Sequence, residues 1–283
     1  MKATLWYFFA YAFLGWCAEV VFAAFKSGRF VNRGFLSGPV CPIYGFGIVA
    51  VLVCLSPFEG NLPMLYAGSV VLTTALELVT GFLMEKLFHQ RWWDYSKMPL
   101  NLGGYVCLPF SLIWGAACVL IVDVLHPCVA GLTALIPEPW STGLLCAFSA
   151  VFLLDVSIAV ARAFKLDRRL RQIDEVASAL RTVSDRLGEA MADGAILLKS
   201  ADEYAADELQ AARVHTRRTL LEADEKAHAE LQARYTELLE RFNREQRHIL
   251  AAFPRLRSVR YPAALDAAKE KLARLLEKGG KRK

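Results

Sequence analysis

Five apolar runs break up the first 164 residues of the chain, and each has nearly the length needed to cross a bilayer. They are Leu5–Phe25, Val40–Ser56, Pro63–Met84, Gly103–Leu125 and Gly143–Phe164. Hydrocarbon about 30 Å thick takes about 20 helical residues. Backbone polar groups in lipid must be satisfied within the protein, so runs of this kind are expected to be helices. The second run is the shortest. The first is expected to be a retained span rather than a signal peptide. Ala10-Tyr11-Ala12 resembles a cleavage site, but too little apolar sequence precedes it and the run continues well past it.

Charge divides the chain. Residues 1–161 hold seven of its 33 Lys/Arg and eight of its 28 Asp/Glu, so the net charge of +5 belongs to the remainder. A basic second half following a membrane domain points to anionic lipid more than to nucleic acid. From Lys165 the pattern is helical. Leu166, Leu170, Ile173, Ala177, Leu180, Leu187 and Met191 approximate a 3.5-residue repeat, as do Leu231, Tyr235, Leu238, Phe242 and Ile249. Pro254 ends the pattern, a last helix covers about Pro262–Glu277, and Lys278–Lys283 is a basic end. The expected fold is all-α. A five-span helical membrane bundle over 1–164 is followed by a coiled-coil region over 165–253, then by a short terminal helix and basic tail over 254–283. A coiled coil of this kind would serve self-association into a homo-oligomer or docking of a cytoplasmic partner.

Orientation follows the Lys/Arg bias of the loops. Lys26, Arg29 and Arg33 follow the first run, Lys86, Arg91 and Lys97 the third, and Arg162, Lys165, Arg168, Arg169 and Arg171 the fifth. The second and fourth loops have none. This puts the N-terminus outside and the tail in the cytoplasm, with only Lys2 against it. The chain is thus expected to be a multi-pass protein of the cytoplasmic membrane.

One stretch interrupts the apolar pattern at the membrane boundary: Val31–Gly47, VNRGFLSGPVCPIYGFG. Its glycines and prolines favour an irregular backbone. Such backbone survives at membrane depth only when packed in protein or lining a wet cavity. A shaped, re-entrant loop is one reading and an interfacial turn the other. Further on, Gly103-Gly104 and Pro109 suggest a kinked or broken entry to the fourth span. Trp92, Trp93 and Tyr95 suit an interfacial anchor.

Ionisable groups inside spans are costly and mark candidate sites. Glu19, Glu77 and Asp155 lie deep in the first, third and fifth runs, whereas Glu85 and Asp123 lie near span ends. No Lys or Arg matches their depth. Arg33, on a loop that could fold back, is the first partner to consider, and Arg91 and Asp94 could pair with each other or with lipid phosphate. Glu77 and Glu85, eight residues apart, fall about 80° apart around a helix and could share a groove. The candidate substrate- or ion-binding set is therefore Glu19, Asn32, Arg33, Glu77, Glu85, Arg91, Asp94 and Asp155. A polar network that only fixes helix packing is the competing reading.

Several chemistries lack support in the sequence. There is no G-x-x-x-x-G-K-[ST], no H-E-x-x-H and no G-x-S-x-G. The seven cysteines form no C-x-x-C pair, and most sit inside apolar runs as small hydrophobes. No catalytic residue, metal or cofactor is expected.

Over roughly residues 5–120 the chain resembles the bacterial ABC transporter permeases of the type IV group. The resemblance rests on Gly15-Trp16 with Glu19, on Asn32-Arg33-Gly34-Phe35-Leu36, Gly38-Pro39 and Cys41–Gly47, then on Glu77, Leu83–Phe88 and Arg91–Ser96. Asn101, Gly104, Cys107, Ser111 and Trp114-Gly115 complete it. It implies a membrane permease subunit served by a separate ATPase, and leaves the tail uncovered. Three functions follow as expectations. The first is a transport component with a polar site among the intramembrane acids and the Val31–Gly47 loop. The second is a membrane enzyme on a lipid-linked phosphate, held by Arg33, Lys86 and Arg91, with Glu85 or Asp94 as acid or base. The third is a membrane-anchored coiled-coil scaffold.

Overall fold

The computed structural model describes residues 2–28, 30–200, 207–240 and 244–280. The helices are α1 (Lys2–Ser27), α2 (Pro42–Cys54), α3 (Leu62–Phe88), α4 (Leu108–Leu120), α5 (His126–Ala134), α6 (Glu138–Ser200), α7 (Asp207–Glu240), α8 (Arg244–Ala252) and α9 (Pro262–Gly280). Strand structure among the described residues is four two-residue segments: β1 (Gln90–Arg91), β2 (Asn101–Leu102), β3 (Val106–Cys107) and β4 (Arg257–Ser258). The chain forms two compact units. One is Met1–Asp167 with Arg244–Arg260; the other is Arg168–Asn243 with Tyr261–Lys283.

Among the described residues, four helical stretches are long and apolar enough to cross a membrane: Lys2–Ser27, Leu62–Phe88, Leu108–Ala134 and part of α6. The second expected run is different. α2 has 13 residues, about 20 Å of helix, and falls short of the hydrocarbon thickness by itself. Pro42 stands in its first turn, and the Cys41 N–H donates to the Ala12 carbonyl at 2.9 Å. Ala12 lies in the middle of α1, so residues 30–41 run back along that helix before α2 begins. The Gly/Pro-rich stretch is thus a loop against α1 as far as Cys41 and helix from Pro42 to Gly47.

Pro109 does not kink α4. It sits in the first turn, where a missing N–H costs no hydrogen bond and the fixed φ suits the helix. A π-helical turn over Ile121–Leu125 carries α4 into α5. Tyr11, Ile48, Val51, Leu55, Leu65, Cys118, Val122 and Val129 form one apolar core joining α1 to α5.

The first two helical hairpins repeat one plan. α1 packs on α2 and α3 on α4. α2 and α4 have 13 residues each, and each is preceded by an extended cysteine, Cys41 or Cys107, and opened by a proline. The chain interval relating these cysteines also relates Gly15 to Gly81, Glu19 to Glu85, Phe22 to Phe88, Leu36 to Leu102, Gly38 to Gly104 and Val40 to Val106.

Residues 244–260 belong to the first unit, although the sequence places them in a coiled coil and its terminus. Ile249, Leu250, Ala252, Leu256 and Ser258 are buried. Phe253 meets Trp92 edge-on at 4.8 Å. β4 pairs antiparallel with β1, and the Val259 N–H donates to the His89 carbonyl at 3.0 Å. Trp92 is 4% exposed among Phe35, Phe88 and Phe253. It is thus a core residue of this unit and not the interfacial anchor its composition suggests.

The second unit consists of the rest of α6, α7 and α9. Leu170, Ile173 and Val176 of α6 are buried, as are Ala264, Leu265 and Ala268 of α9. Lys271 lies 3.3 Å from Glu240. Along the expected repeat, burial fades, and Met191 is exposed. Phe242 of that repeat, the loop cation Arg29 and the last three basic residues lie outside the described residues.

Candidate functional site

Each hairpin carries the same polar triad. In the first, α1 supplies Glu19, the following loop Arg33 and α2 Tyr44. Arg33 Nη1 lies 3.2 Å from Glu19 Oε2, and the Tyr44 hydroxyl donates to Glu19 Oε1 at 2.7 Å. In the second, α3 supplies Glu85, its loop Arg91 and the approach to α4 Tyr105. Arg91 Nε donates to Glu85 Oε2 at 2.6 Å, and the Tyr105 hydroxyl donates to the same oxygen at 2.8 Å. A glycine one turn before each acid makes room for the tyrosine. A Cβ on Gly15 would sink into the Tyr44 ring, and one on Gly81 would stand 3.0 Å from Tyr105 Cδ1. Arg33 is thus the partner that the depth argument sought for Glu19.

An asparagine organises each loop. Asn32 Oδ1 accepts from Trp16 Nε1 at 2.7 Å and from the Gly34 N–H at 3.2 Å, while its Nδ2 donates to the Ser37 carbonyl at 3.0 Å. Asn101 Nδ2 donates to the Met98 carbonyl at 2.8 Å, and its Oδ1 accepts from the Gly104 N–H at 3.1 Å. Tight Asx-type turns of this kind let a short polar side chain replace missing backbone partners.

The other acids differ in how they are satisfied. Asp155 of α6 accepts from the Gly38 N–H at 2.8 Å and the Ser37 N–H at 3.1 Å. Arg162 of the same helix donates to the Ser37 hydroxyl. Asp94 accepts from the Ser96 N–H at 2.9 Å and from the Ser96 hydroxyl, with Arg257 at 3.5 Å. Burial works to raise its pKa, but the Ser96 hydrogen bonds together with Arg91 and Arg257 hold the carboxyl below its ordinary value. Arg91 and Asp94 do not form the direct pair considered from sequence, because Arg91 is taken by Glu85 and the Gly103 carbonyl.

Glu77, in the middle of α3, stands apart. The Tyr95 phenol faces its carboxyl group. Its Oε2 is buried with no partner among the described residues. It has no arginine or lysine within ion-pair distance among those residues, unlike Glu19 and Glu85. Tyr95 also stacks on Phe110 at 5.0 Å, which fixes the phenol from the other side.

Sequence reasoning missed the groups that complete these clusters: Tyr44, Tyr95, Tyr105, Arg162, His248 and Arg257. His248 of α8 faces the Asn32 main chain. Burial, then the Arg162 charge, lowers its pKa, against the Asn32 main chain and Asp155. A tyrosine within each Gly/Pro-marked loop was the available signal for Tyr44 and Tyr105; nothing local marks His248. Chemically, Arg33 and Arg91 face carboxylates already, so they are not a free anion clamp. What the arrangement offers is one carboxyl with no cationic partner among the described residues and two that each face an arginine.

Comparison with curated proteins and with solved structures returns no match. The repeated hairpins, their triads and the Asp155 contact all fall within residues 6–160, which match the family model described as "Putative ABC-transporter type IV", and the chain belongs to that family.

Proposed function

We propose that this membrane transport protein is a permease-like component of the cytoplasmic membrane, with its N-terminus outside and its helical tail in the cytoplasm. Its substrate- or ion-binding group is Glu77, in the middle of α3. Glu19, Asn32, Arg33, Glu85, Arg91, Asp94 and Asp155 shape the walls. The observation that carries this reading is the contrast among the acids. Glu19 and Glu85 each have an arginine and a tyrosine. Asp155 has two backbone donors. Glu77 keeps a buried oxygen with no partner among the described residues. An acid held this way in a span is a place for a proton, a cation or the cationic part of a substrate. The chain carries no nucleotide-binding loop, so energy would come from a separate ATPase subunit. The helical tail would serve self-association.

The test is complementation of a deletion strain, scored by its uptake or efflux phenotype. Glu77→Gln should abolish complementation while leaving protein level unchanged. Full complementation by Glu77→Gln would overturn the assignment. Purification of the intact protein in mild detergent should bring down a stoichiometric ATPase. A bound lipid-linked phosphate with no ATPase would move the reading to the lipid enzyme.

A further inference from the structure

The two hairpins treat one equivalent leucine in opposite ways. Leu36 is 1% exposed, while its counterpart Leu102 is 61% exposed and the nearby Leu100 is 76% exposed. Leu100 also holds a φ of 50°, a region that costs a branched residue of order 1 kcal/mol or more. The loop pays that strain because its backbone is pinned throughout. The Leu108 N–H donates to the Leu100 carbonyl at 3.2 Å, the Tyr105 N–H to Leu102 at 3.1 Å and the Met98 N–H to Tyr95 at 2.8 Å. Two leucines are therefore held out rigidly at the start of a membrane-length helix.

We infer that the Lys97–Leu102 loop is an interfacial anchor. Leu100 and Leu102 insert at the boundary between headgroups and acyl chains of an anionic phospholipid bilayer. Continuity names the occupant. Leu83 and Leu87 near the end of α3 and Leu108 and Leu112 at the start of α4 are exposed apolar residues of membrane-length helices. The loop joins the ends of those two helices and extends the same apolar surface. Lys86 and Lys97 flank it, are exposed, and have no carboxylate partner among the described residues. Their ammonium groups are placed for lipid phosphates, the usual arrangement of apolar insertion with cationic flanks. A docked protein segment would also cover two leucines, so the experiment separates the two.

A photo-crosslinking amino acid is placed singly at 36, 100 and 102 in the full-length protein, and native membranes are irradiated. Lipid adducts are expected at 100 and 102, several-fold above the level at buried position 36. Lys86→Gln with Lys97→Gln should lower the share of anionic lipid in those adducts by at least two-fold. A protein adduct at 100 or 102, whether a second copy or another chain, would overturn the inference. So would adduct levels at 100 and 102 no higher than at 36. Crosslinking reads proximity, so a variant that transports poorly still gives an answer.

Discussion

The first hairpin needs the rest of the unit to complete its loop, whereas the second completes its own. Gly38 and Gly104 occupy equivalent places. The Gly38 N–H donates to Asp155 of α6, more than a hundred residues away. The Gly104 N–H donates to Asn101, three residues away, and Gly104 takes a φ of 77° that only glycine adopts without strain. The same triad is thus held by long-range contacts in one copy and by local ones in the other. The Asp155 and Arg162 contacts to Ser37 and Gly38 tie α6, which continues as a helix to Ser200, to the loop that carries Arg33. Residues 257–258 pair with β1, while the hydrogen bonds of the second triad and of Gly104 stay within residues 85–105.

The sharpest way to break the equivalence is at the paired glycines. Alanine is favoured over glycine inside a helix by roughly 0.5–1 kcal/mol, so the outcome depends on the clash. In Gly15→Ala the new methyl collides with the body of the Tyr44 ring, which Trp114 holds from the side at 5.6 Å. Overpacking of this kind costs about 3 kcal/mol, and destabilisation in detergent is expected. In Gly81→Ala the nearest atoms are at 3.0 and 3.1 Å. A shift of a few tenths of an ångström relieves that, and the change should fall within about 1 kcal/mol of neutral. Equal thermal shifts for the two variants would show that the tyrosines are not held alike.

Next in size are the arginines. The Arg33–Glu19 side chains are 27% exposed on each side, and the Arg91–Glu85 pair 25% and 19%. Partial exposure reduces the cost of breaking a buried pair to about 1–2 kcal/mol. Arg91→Ala should cost more than Arg33→Ala. It also loses the Gly103 carbonyl, whereas each guanidinium lies over one ring, Tyr105 at 5.1 Å for Arg91 and Phe22 at 5.4 Å for Arg33. Adding Glu19→Gln to Arg33→Ala, or Glu85→Gln to Arg91→Ala, should restore part of the loss by removing the stranded charge. Unfolding midpoints of the singles and doubles give the coupling, and a double no more stable than its arginine single would argue against the pair.

Much of this was legible in the sequence, and the boundary is physical. Apolar runs such as Leu5–Phe25 set the long helices because lipid crossing demands length and satisfied backbone, both local properties. The pairing of Arg33 with Glu19 followed from the cost of a lone buried acid. Two features were hidden. The shortness of α2 depends on how far residues 30–41 run back along α1, which no local pattern records. The return of 244–260 was masked because Ile249 fits a helical repeat equally well as a coiled-coil position or as a buried face. Only the burial of Gln90, Trp92 and Ser258 reveals which. The triads were half visible. Their acids and bases stood out by cost, but a tyrosine in an apolar setting gives no sign of what its hydroxyl reaches.

The smallest effect tests the link between the first loop and 244–260 through His248. Its ring faces the Asn32 main chain, Asp155 and Arg162, and its pKa in the folded protein lies below the ordinary value near 6.5. The docked state therefore prefers the neutral ring, and the undocked state takes up a proton more readily. The contribution to docking is full above the ordinary histidine range. It declines as pH falls through that range, and levels off below the lowered value, where both states are charged. Limited proteolysis of the intact protein should accordingly find residues 244–260 well protected at pH 7.5 and cut a few-fold faster at pH 5.5. His248→Asn keeps a polar group at the Asn32 contact but cannot titrate, so cutting should become nearly independent of pH. Cutting that still accelerates at low pH in His248→Asn would take the pH response away from His248 and leave the first loop tied to α6 alone.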